Sequence, residues 1–451
     1  MQKNMIIVAV VVVALIGAGG AVLVLGGNHS NSNPYGSVDS KLLIRGNVNE
    51  DYTIDGDDMS LFEEVKNGDK SLTDYPYADV NGDGNVNDDD KALLQDLIDR
   101  KAGTDVYIDC LDITAKPANV KAKYPLRNIV PFGTDMMTVM WAGGGEYVAG
   151  YFYNSYPNIQ NTPNGEEFGN SIMPNAAAWQ KFQARDATLK ENGGNGIGGI
   201  ILNTAYVKFI TSQKANLEKA GIPVIGFPSL DAESEITAIL TIGFLFGTDN
   251  EKSSLEYAEK GWEVVKEVKD KVKDLKDDER KTFIAFCMTN YICANDSTMN
   301  GTALSAGGIH YSKVDKEYAA TYAGSNAIQM GSTEALANYS ADVFINITSQ
   351  DSVKDKAARQ DKMVTIWESA MAYYQNHESY KNTVYLNLTL PDACRLAYVA
   401  AALYPEIFSM DWANGIMQDY IDAGFGPLKD KTMDENLITV VTYEDYQNLK
   451  K

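Results

Sequence analysis

Residues 78–90 read ADVNGDGNVNDDD, and residues 47–58 read NVNEDYTIDGDD, so an acidic stretch recurs 32 positions apart. Aligned on Ile54 and Val86, the oxygen-bearing side chains coincide at every second position. The first stretch offers Asn47, Asn49, Asp51, Asp55 and Asp58, with Thr53 supplying a backbone carbonyl. The second offers Asp79, Asn81, Asp83, Asn87 and Asp90, with the carbonyl of Asn85. Oxygens at positions 1, 3, 5, 7, 9 and 12 of such a loop can converge on a hard cation at about 2.4 Å. The chemistry implied is the binding of two Ca2+ ions, one in each loop. Gly84 at position 6 permits the sharp turn this requires, and Val86 at position 8 turns toward a core.

Each loop leads into an apolar helical stretch, MSLFEEV and KALLQDLI. Three features set the loops apart from an EF-hand. Position 12 is Asp instead of a bidentate Glu, position 6 of the first loop is Tyr52, and its position 1 is the neutral Asn47. Two loop–helix units ending on Asp resemble a dockerin, the calcium-dependent module that plugs into cohesins on scaffolding proteins. The resemblance covers residues 44–103 and implies a small all-α module with a cohesin-bearing partner. Positions 10 and 11, which read the partner in that family, are Gly56–Asp57 and Asp88–Asp89 here.

The surrounding chain must place this module. At 451 residues, 45% of them apolar and 22% charged, it is long enough for two or three folded domains. Its net charge of −22 argues against a nucleic-acid partner, whose phosphates call for Lys and Arg. About half of that charge is local, since 16 acids face 5 bases between Arg45 and Arg100. Met5 to Leu25 is uncharged and long enough to span a bilayer. With Lys3 as the only charge before it, the rest of the chain is expected outside the cell. We therefore expect a signal or transmembrane helix over 1–27, retained as an anchor, and a polar tether over 28–43. Four cysteines are too few for a disulfide framework. Cys287 and Cys293 either bridge or sit as small buried hydrophobes. Six Asn-x-Ser/Thr sites (Asn28, Asn295, Asn300, Asn338, Asn346, Asn387) are compatible with surface glycosylation.

From Val106 onward, apolar runs such as GIGGIILN, GIPVIGF, TFIAFCM and ADVFINIT alternate with amphipathic stretches, the pattern of parallel α/β layers. The stretch from Glu251 to Glu279 carries a continuous stripe of Leu255, Ala258, Trp262, Val265, Val268, Val272 and Leu275. As a helix it would run roughly 40 Å. It separates two halves, so the expected fold is α/β: two α/β lobes, 106–248 and 280–451, joined by one long helix over 249–279. Ligand-facing loops are expected just after strand C-termini. This picks out Thr134 and Asp135 beside Gly133, Tyr151, Tyr153 and Tyr156, and Asn203, Thr204 and Tyr206 in the first half. In the second half it picks out Thr289, Asn290 and Tyr291, Ser349, Gln350 and Asp351, and Trp367. Tyrosine walls suit flat or bulky chelates.

Several stretches resemble, in order, the substrate-binding proteins of ABC transporters for iron–siderophore, haem and cobalamin uptake. They are YPLRNIVPFGTDMMTVMWAGGGEYVAGY (124–151), NLEKAGIPVIGF (216–227), ITAILTIGFLFGTDNEKSSLEYAEKGWEVV (236–265), AIQMGSTEALANYSADVFINIT (327–348) and LPDACRLAYVAAALYPEIF (390–408). The resemblance implies two lobes on one rigid helix, small closure motions, a metal chelate in the cleft and an ABC permease as partner. It maps a permease-docking acid onto Glu334. Lys208 stands where the first lobe should carry its acid, which shifts that contact elsewhere, for example to Asp135. For haem, an axial His would have to be His310 or His377. Dockerins often accompany polysaccharide hydrolases, yet no G-x-S-x-G elbow occurs and only three His are present. The chain reads as a non-enzymatic receptor on the extracellular face of the membrane. The alternatives are a dockerin-borne adhesin or scaffold component, or a secreted carbohydrate-active enzyme.

Overall fold

The computed structural model describes residues 41–133, 135–152, 162–169, 171, 173–228, 231–287, 291–293, 298–322, 328–329, 339–348, 361, 364–365, 367–368, 381–387, 390–429, 433 and 440–450. The expected anchor and most of the tether lie outside them. Among the described residues no helix is long and apolar enough to cross a membrane.

The acidic region folds as two short helices, α1 (Gly56–Lys66) and α2 (Asp88–Ile98), around Val48, Ile54, Phe62, Val80, Leu94 and Leu97. The tether was expected to reach residue 43, but Lys41 to Leu43 are buried. Leu42 and Leu43 are apolar and fill the seam between the acidic region and the rest of the chain. The Leu43 N–H donates to Thr241 Oγ1 at 3.1 Å. Leu43 to Arg45 then runs antiparallel to β1 (Asp105–Leu111), with Ile44 bridging Ile108. The chain thus leaves the first-lobe sheet at Arg45 and rejoins it at Asp105.

In the first lobe β1 pairs with β2 (Pro117–Lys123) as an antiparallel hairpin. Three parallel strands follow: β3 (Ile129–Pro131), β6 (Gly199–Asn203) and β7 (Val224–Phe227), in the order β2-β1-β7-β6-β3. Between β3 and β6 come α3 (Asp135–Trp141), the parallel pair β4 (Gly150–Phe152) and β5 (Glu166–Gly169), and α4 (Ala176–Glu191). Helices α5 (Thr204–Ile210) and α6 (Lys214–Ala220) lead from β6 to β7. Ile200, Ile201 and Leu202 are all fully buried, the signature of a parallel strand covered on both faces.

Helices α7 (Ala232–Phe246) and α8 (Thr248–Val272) cross closely. A Cβ on Gly243 would fall 2.0 Å from Ser254 Oγ, and one on Gly261 would fall 2.7 Å from Ile236 Cδ1. α8 is the connecting helix, and its stripe of Tyr257, Ala258, Trp262, Val265, Val268 and Val272 is buried. It ends at Val272, seven residues before the expected Glu279. The reason is local: Arg280 folds back to donate to the Val272 carbonyl (3.3 Å) and to the Gly307 carbonyl (3.0 Å), supplying donors to the helix end from outside the helix.

The second lobe centres on parallel strands β8 (Thr282–Cys287), β12 (Val343–Thr348) and β13 (Val384–Asn387). Short strands β9 (Tyr291–Ile292), β10 (Ile309–His310), β11 (Ile328–Gln329) and β14 (Val440–Val441) extend the sheet. Helices α9 (Thr298–Ser305) and α10 (Lys316–Tyr322) lie between these strands in sequence. α11 (Asp392–Leu403), α12 (Met410–Ala423) and α13 (Tyr443–Leu449) complete the lobe. Tyr257, Val265 and Val268 of α8 share one core with Tyr398 of α11 and Tyr420 of α12, so the connecting helix is built into both lobes. Asn300 and Asn346 are fully buried, and the folded chain cannot carry glycans there.

Candidate functional site

The two acidic loops share a hydrogen-bond ladder at positions 3, 5, 9 and 12 and differ at position 1, where Asp79 accepts the Asp83 and Gly84 N–H groups (both 3.0 Å) and Asn47 Oδ1 accepts none. In the first, the Asp51 N–H donates to Asn49 Oδ1 (3.0 Å), Thr53 N–H to Asp51 Oδ1 (2.8 Å), and the Asn49 and Asp55 N–H groups to the two oxygens of Asp58 (3.2 and 2.8 Å). In the second, Asp83 N–H donates to Asn81 Oδ1 (2.9 Å), Asn85 N–H to Asp83 Oδ1 (2.8 Å), and the Asn81 and Asn87 N–H groups to the two oxygens of Asp90 (both 3.0 Å). Position 9 of each loop, Asp55 or Asn87, is the N-cap of the following helix, and position 12 completes its capping box. Position 4 is left-handed in both, at Glu50 (φ 56°) and Gly82 (φ 73°), but position 6 is left-handed only at Gly84. Tyr52 therefore occupies the first loop without the backbone strain its type would suffer in Gly84's conformation.

Two observations bear on whether a hard cation fits. Asn47 is fully buried; its Nδ2 donates to the carbonyls of Leu42 (2.9 Å) and Asp51 (2.8 Å), while its Oδ1 finds no donor. Asp58 is fully buried too, and burial pushes its carboxyl up to about 7, with Asp51 and Asp55 adding repulsion. Burial also raises Asp51 and Asp90. An orphaned oxygen and carboxylates short of positive charge suit a divalent ion. Among the described residues, no three His, Cys, Asp or Glu side chains converge into a metal cluster. Asn and backbone oxygens would have to complete each set.

At the strand C-termini of the first lobe, the predicted residues come together. Asp135 Oδ2 accepts the N–H of Asn203 at 2.8 Å, joining the ends of β3 and β6. Burial pushes the Asp135 carboxyl up to about 8. At 4% exposure Asp135 cannot serve as a surface acid for a permease. The half-buried Tyr206 ring covers Gly133, where a Cβ would meet it at 2.5 Å, and lies 5.5 Å from Phe132. Tyr151, on β4 beside β3, retains 9% exposure.

The second-lobe expectations fare differently. Trp367 is fully buried, stacked on Tyr446 (5.2 Å, 7°) and against Tyr385 (4.7 Å). It is a core residue, enclosed by the rings of Tyr446 and Tyr385. His310 pairs with Ser312 and sits beside Phe283, at the start of β8 and away from the strand C-termini. Burial lowers it to about 4. Thr134, Tyr153, Tyr156, Thr289, Asn290, Glu334, Ser349, Gln350, Asp351 and His377 lie outside the described residues, as do the side chains of Thr204, Lys208 and Tyr291.

Sequence reasoning missed a polar cluster where the first turns of α7 and α11 meet. Glu235 Oε2 accepts from the Tyr257 hydroxyl (2.9 Å) and from the backbone N–H of Asp392 (2.7 Å). Asp392 is ion-paired with the buried Arg395, and Arg395 Nη2 also donates to the Leu390 carbonyl (3.0 Å). Burial raises both acids above the ordinary carboxylate range, with Asp392 repelling Glu235 and Asp231 repelling Asp392. Ser305 adds a second cross-lobe bond, to Asp231 at 3.4 Å. The visible signal was that β7 and β13 each precede a helix with acids in its first turn.

The sequence matches no protein-family model and no curated protein. Solved structures do match. A TroA-like periplasmic binding protein, FepB, from Veillonella parvula aligns with TM-score 0.53 and 15% identity, over 74% of this chain and 99% of that one. MolA, the molybdate periplasmic binding protein of Haemophilus influenzae solved with molybdate, aligns with TM-score 0.50 and 12% identity, over 73% and 99%. The fold is that of TroA-like periplasmic binding proteins.

Proposed function

We propose that this chain is the extracellular solute-binding receptor of an ABC importer, a non-enzymatic protein that captures a metal chelate between its lobes. The observation that carries this reading is the architecture: two α/β lobes built on one connecting helix, matching nearly the whole of FepB in fold. Asp135 and Asn203, bonded to each other across the ends of β3 and β6, would with Tyr206 and the Tyr151 of β4 form the first lobe's side of the cleft. Aromatic walls of this kind favour a flat or bulky chelate of the iron–siderophore, haem or cobalamin type. Exported and held by its N-terminal helix, the receptor would deliver its ligand to a permease through surface acids such as Glu334.

The acidic loops are read as two calcium sites. Asn47, Asn49, Asp51, Asp55 and Asp58 with the Thr53 carbonyl would hold one ion. Asp79, Asn81, Asp83, Asn87 and Asp90 with the Asn85 carbonyl would hold the other. Bound calcium would supply the positive charge that the buried carboxylates lack. The exposed pairs Gly56–Asp57 and Asp88–Asp89 would remain available to a cohesin-type partner.

Mass spectrometry of ligand copurified with the protein, followed by melting-temperature shifts with ferric siderophore, haem and cobalamin, tests the receptor reading. A saturable shift with one chelate supports it; no shift with any, together with glycan hydrolysis, would sink it.

A further inference from the structure

The first acidic loop touches the connecting helix directly. Tyr52, its sixth residue, places its ring 5.5 Å from that of Trp262, in an apolar cluster with Ile236, Leu240, Leu255 and Ala258. Two residues on, the Ile54 carbonyl accepts from Arg100 Nη1 at 3.0 Å. The same guanidinium grips Glu251 with two nitrogens, Nε at 2.8 Å and Nη2, and lies 4.7 Å over the Phe244 ring. Arg100 also holds the Leu97 carbonyl at the end of α2 (2.6 Å). The first loop therefore reaches α8 twice, near its start through Arg100 at Glu251 and eleven residues later directly through Tyr52 at Trp262, about 16 Å along the axis.

The second loop makes no such contact at the matching position. Gly84 is exposed and has nothing within 4 Å of where a side chain would begin. The asymmetry separates the loops by role. In the first, the residue that would relax the turn is given up for a tyrosine, and that tyrosine is spent on α8.

We infer that calcium in the first loop braces the connecting helix, so that the acidic module is an intramolecular clamp on the receptor as well as any docking device. The ion would order the backbone from Asn47 to Asp58, and with it the Tyr52 ring and the Ile54 carbonyl. The ring packs on α8 and the carbonyl holds Arg100, which pairs with Glu251 of α8, a helix built into both lobes. The inference rests on the reading of the first loop as a calcium site.

The test uses the full chain, stripped with chelator and titrated with calcium chloride, followed by calorimetry and by hydrogen exchange of peptides covering residues 251–265. We expect two bound ions and exchange in that segment slowed about tenfold or more on saturation. Asp51→Ala should abolish the slowing, while Asp83→Ala in the second loop should leave it in place. Tyr52→Ala should still bind calcium yet lose most of the protection around Trp262. Calcium bound by the first loop with exchange of 251–265 unchanged would overturn the brace and leave the calcium sites standing. Equal loss in Asp83→Ala would overturn its assignment to the first loop. No calorimetric binding at the first loop would remove the calcium reading and the brace together.

Discussion

Glu235, in the first turn of α7, accepts the backbone N–H of Asp392, the first residue of α11, at 2.7 Å. A side chain of one lobe thereby caps a helix of the other, and Tyr257 of the connecting helix donates to the same oxygen. The two lobes and their connector meet on one carboxylate.

Glu235→Ala should destabilise the protein by about 2 kcal/mol or more, since it orphans a buried tyrosine hydroxyl and a helix N–H together. Urea unfolding monitored by circular dichroism reads the change. A loss under about 0.5 kcal/mol would show that water replaces the carboxylate without cost.

Asp135 yields a pH dependence of defined sign. Burial raises its folded pKa to about 8 from a reference of 3.8. Between those values the folded chain holds a proton that the unfolded chain has released. Its contribution to stability is therefore complete below about pH 4 and declines as pH rises through 8, by at most about 1.4 kcal/mol per pH unit. Asp135→Asn should remove this decline while keeping an acceptor for the Asn203 N–H. Parallel stability–pH curves for the two proteins between pH 4 and 8 would refute the shift.

At the α7–α8 crossing, Gly243→Ala should cost about 1–3 kcal/mol, because the new methyl meets Ser254 Oγ at 2.0 Å and the Asn250 carbonyl at 3.0 Å. Gly415→Ala, on α12 with nothing within 4 Å, serves as the control and should be neutral or mildly stabilising. Thermal melts of the pair decide; equal effects would mean that the crossing relaxes freely.

Chelator should lower the helical signal of the acidic module and shift the melting curve, with calcium restoring both. Asp90→Asn keeps an oxygen for capping α2 but loses the charge, so calcium affinity at the second loop should fall at least about tenfold. Calorimetry against calcium chloride measures it, and unchanged affinity would exclude Asp90 as a ligand.

Local periodicity made the α/β class and the connecting helix legible, because the stripe from Leu255 to Val272 repeats at helical spacing and is buried as a face. The helix end was not legible: Arg280, which donates to the carbonyl of the last helical residue, Val272, acts from outside the periodic stretch. The repeat of the acidic loops was readable for the same reason as the stripe, being local. Its attachment was not, since Tyr52 meets Trp262 across 210 residues of sequence. Trp367 shows the opposite error. An aromatic on the helical stretch MVTIWESAMAYY looked like a cleft wall, and only the packing of Tyr446 and Tyr385 around it reveals core. Glu235 and Asp392 were visible as first-turn acids, but nothing in either segment says that they face each other.

The antiparallel pairing of Leu43–Arg45 with β1 also has a mechanical side. If the chain is held at its N terminus, tension enters at Lys41 and runs along this short pairing, with the Arg45 N–H on the Tyr107 carbonyl (2.9 Å) and the Asp109 N–H on the Leu43 carbonyl (3.0 Å). A pull directed along β1 would load these bonds together instead of peeling them one at a time. The seam would then act as a strain relief, bearing that load before the lobes do.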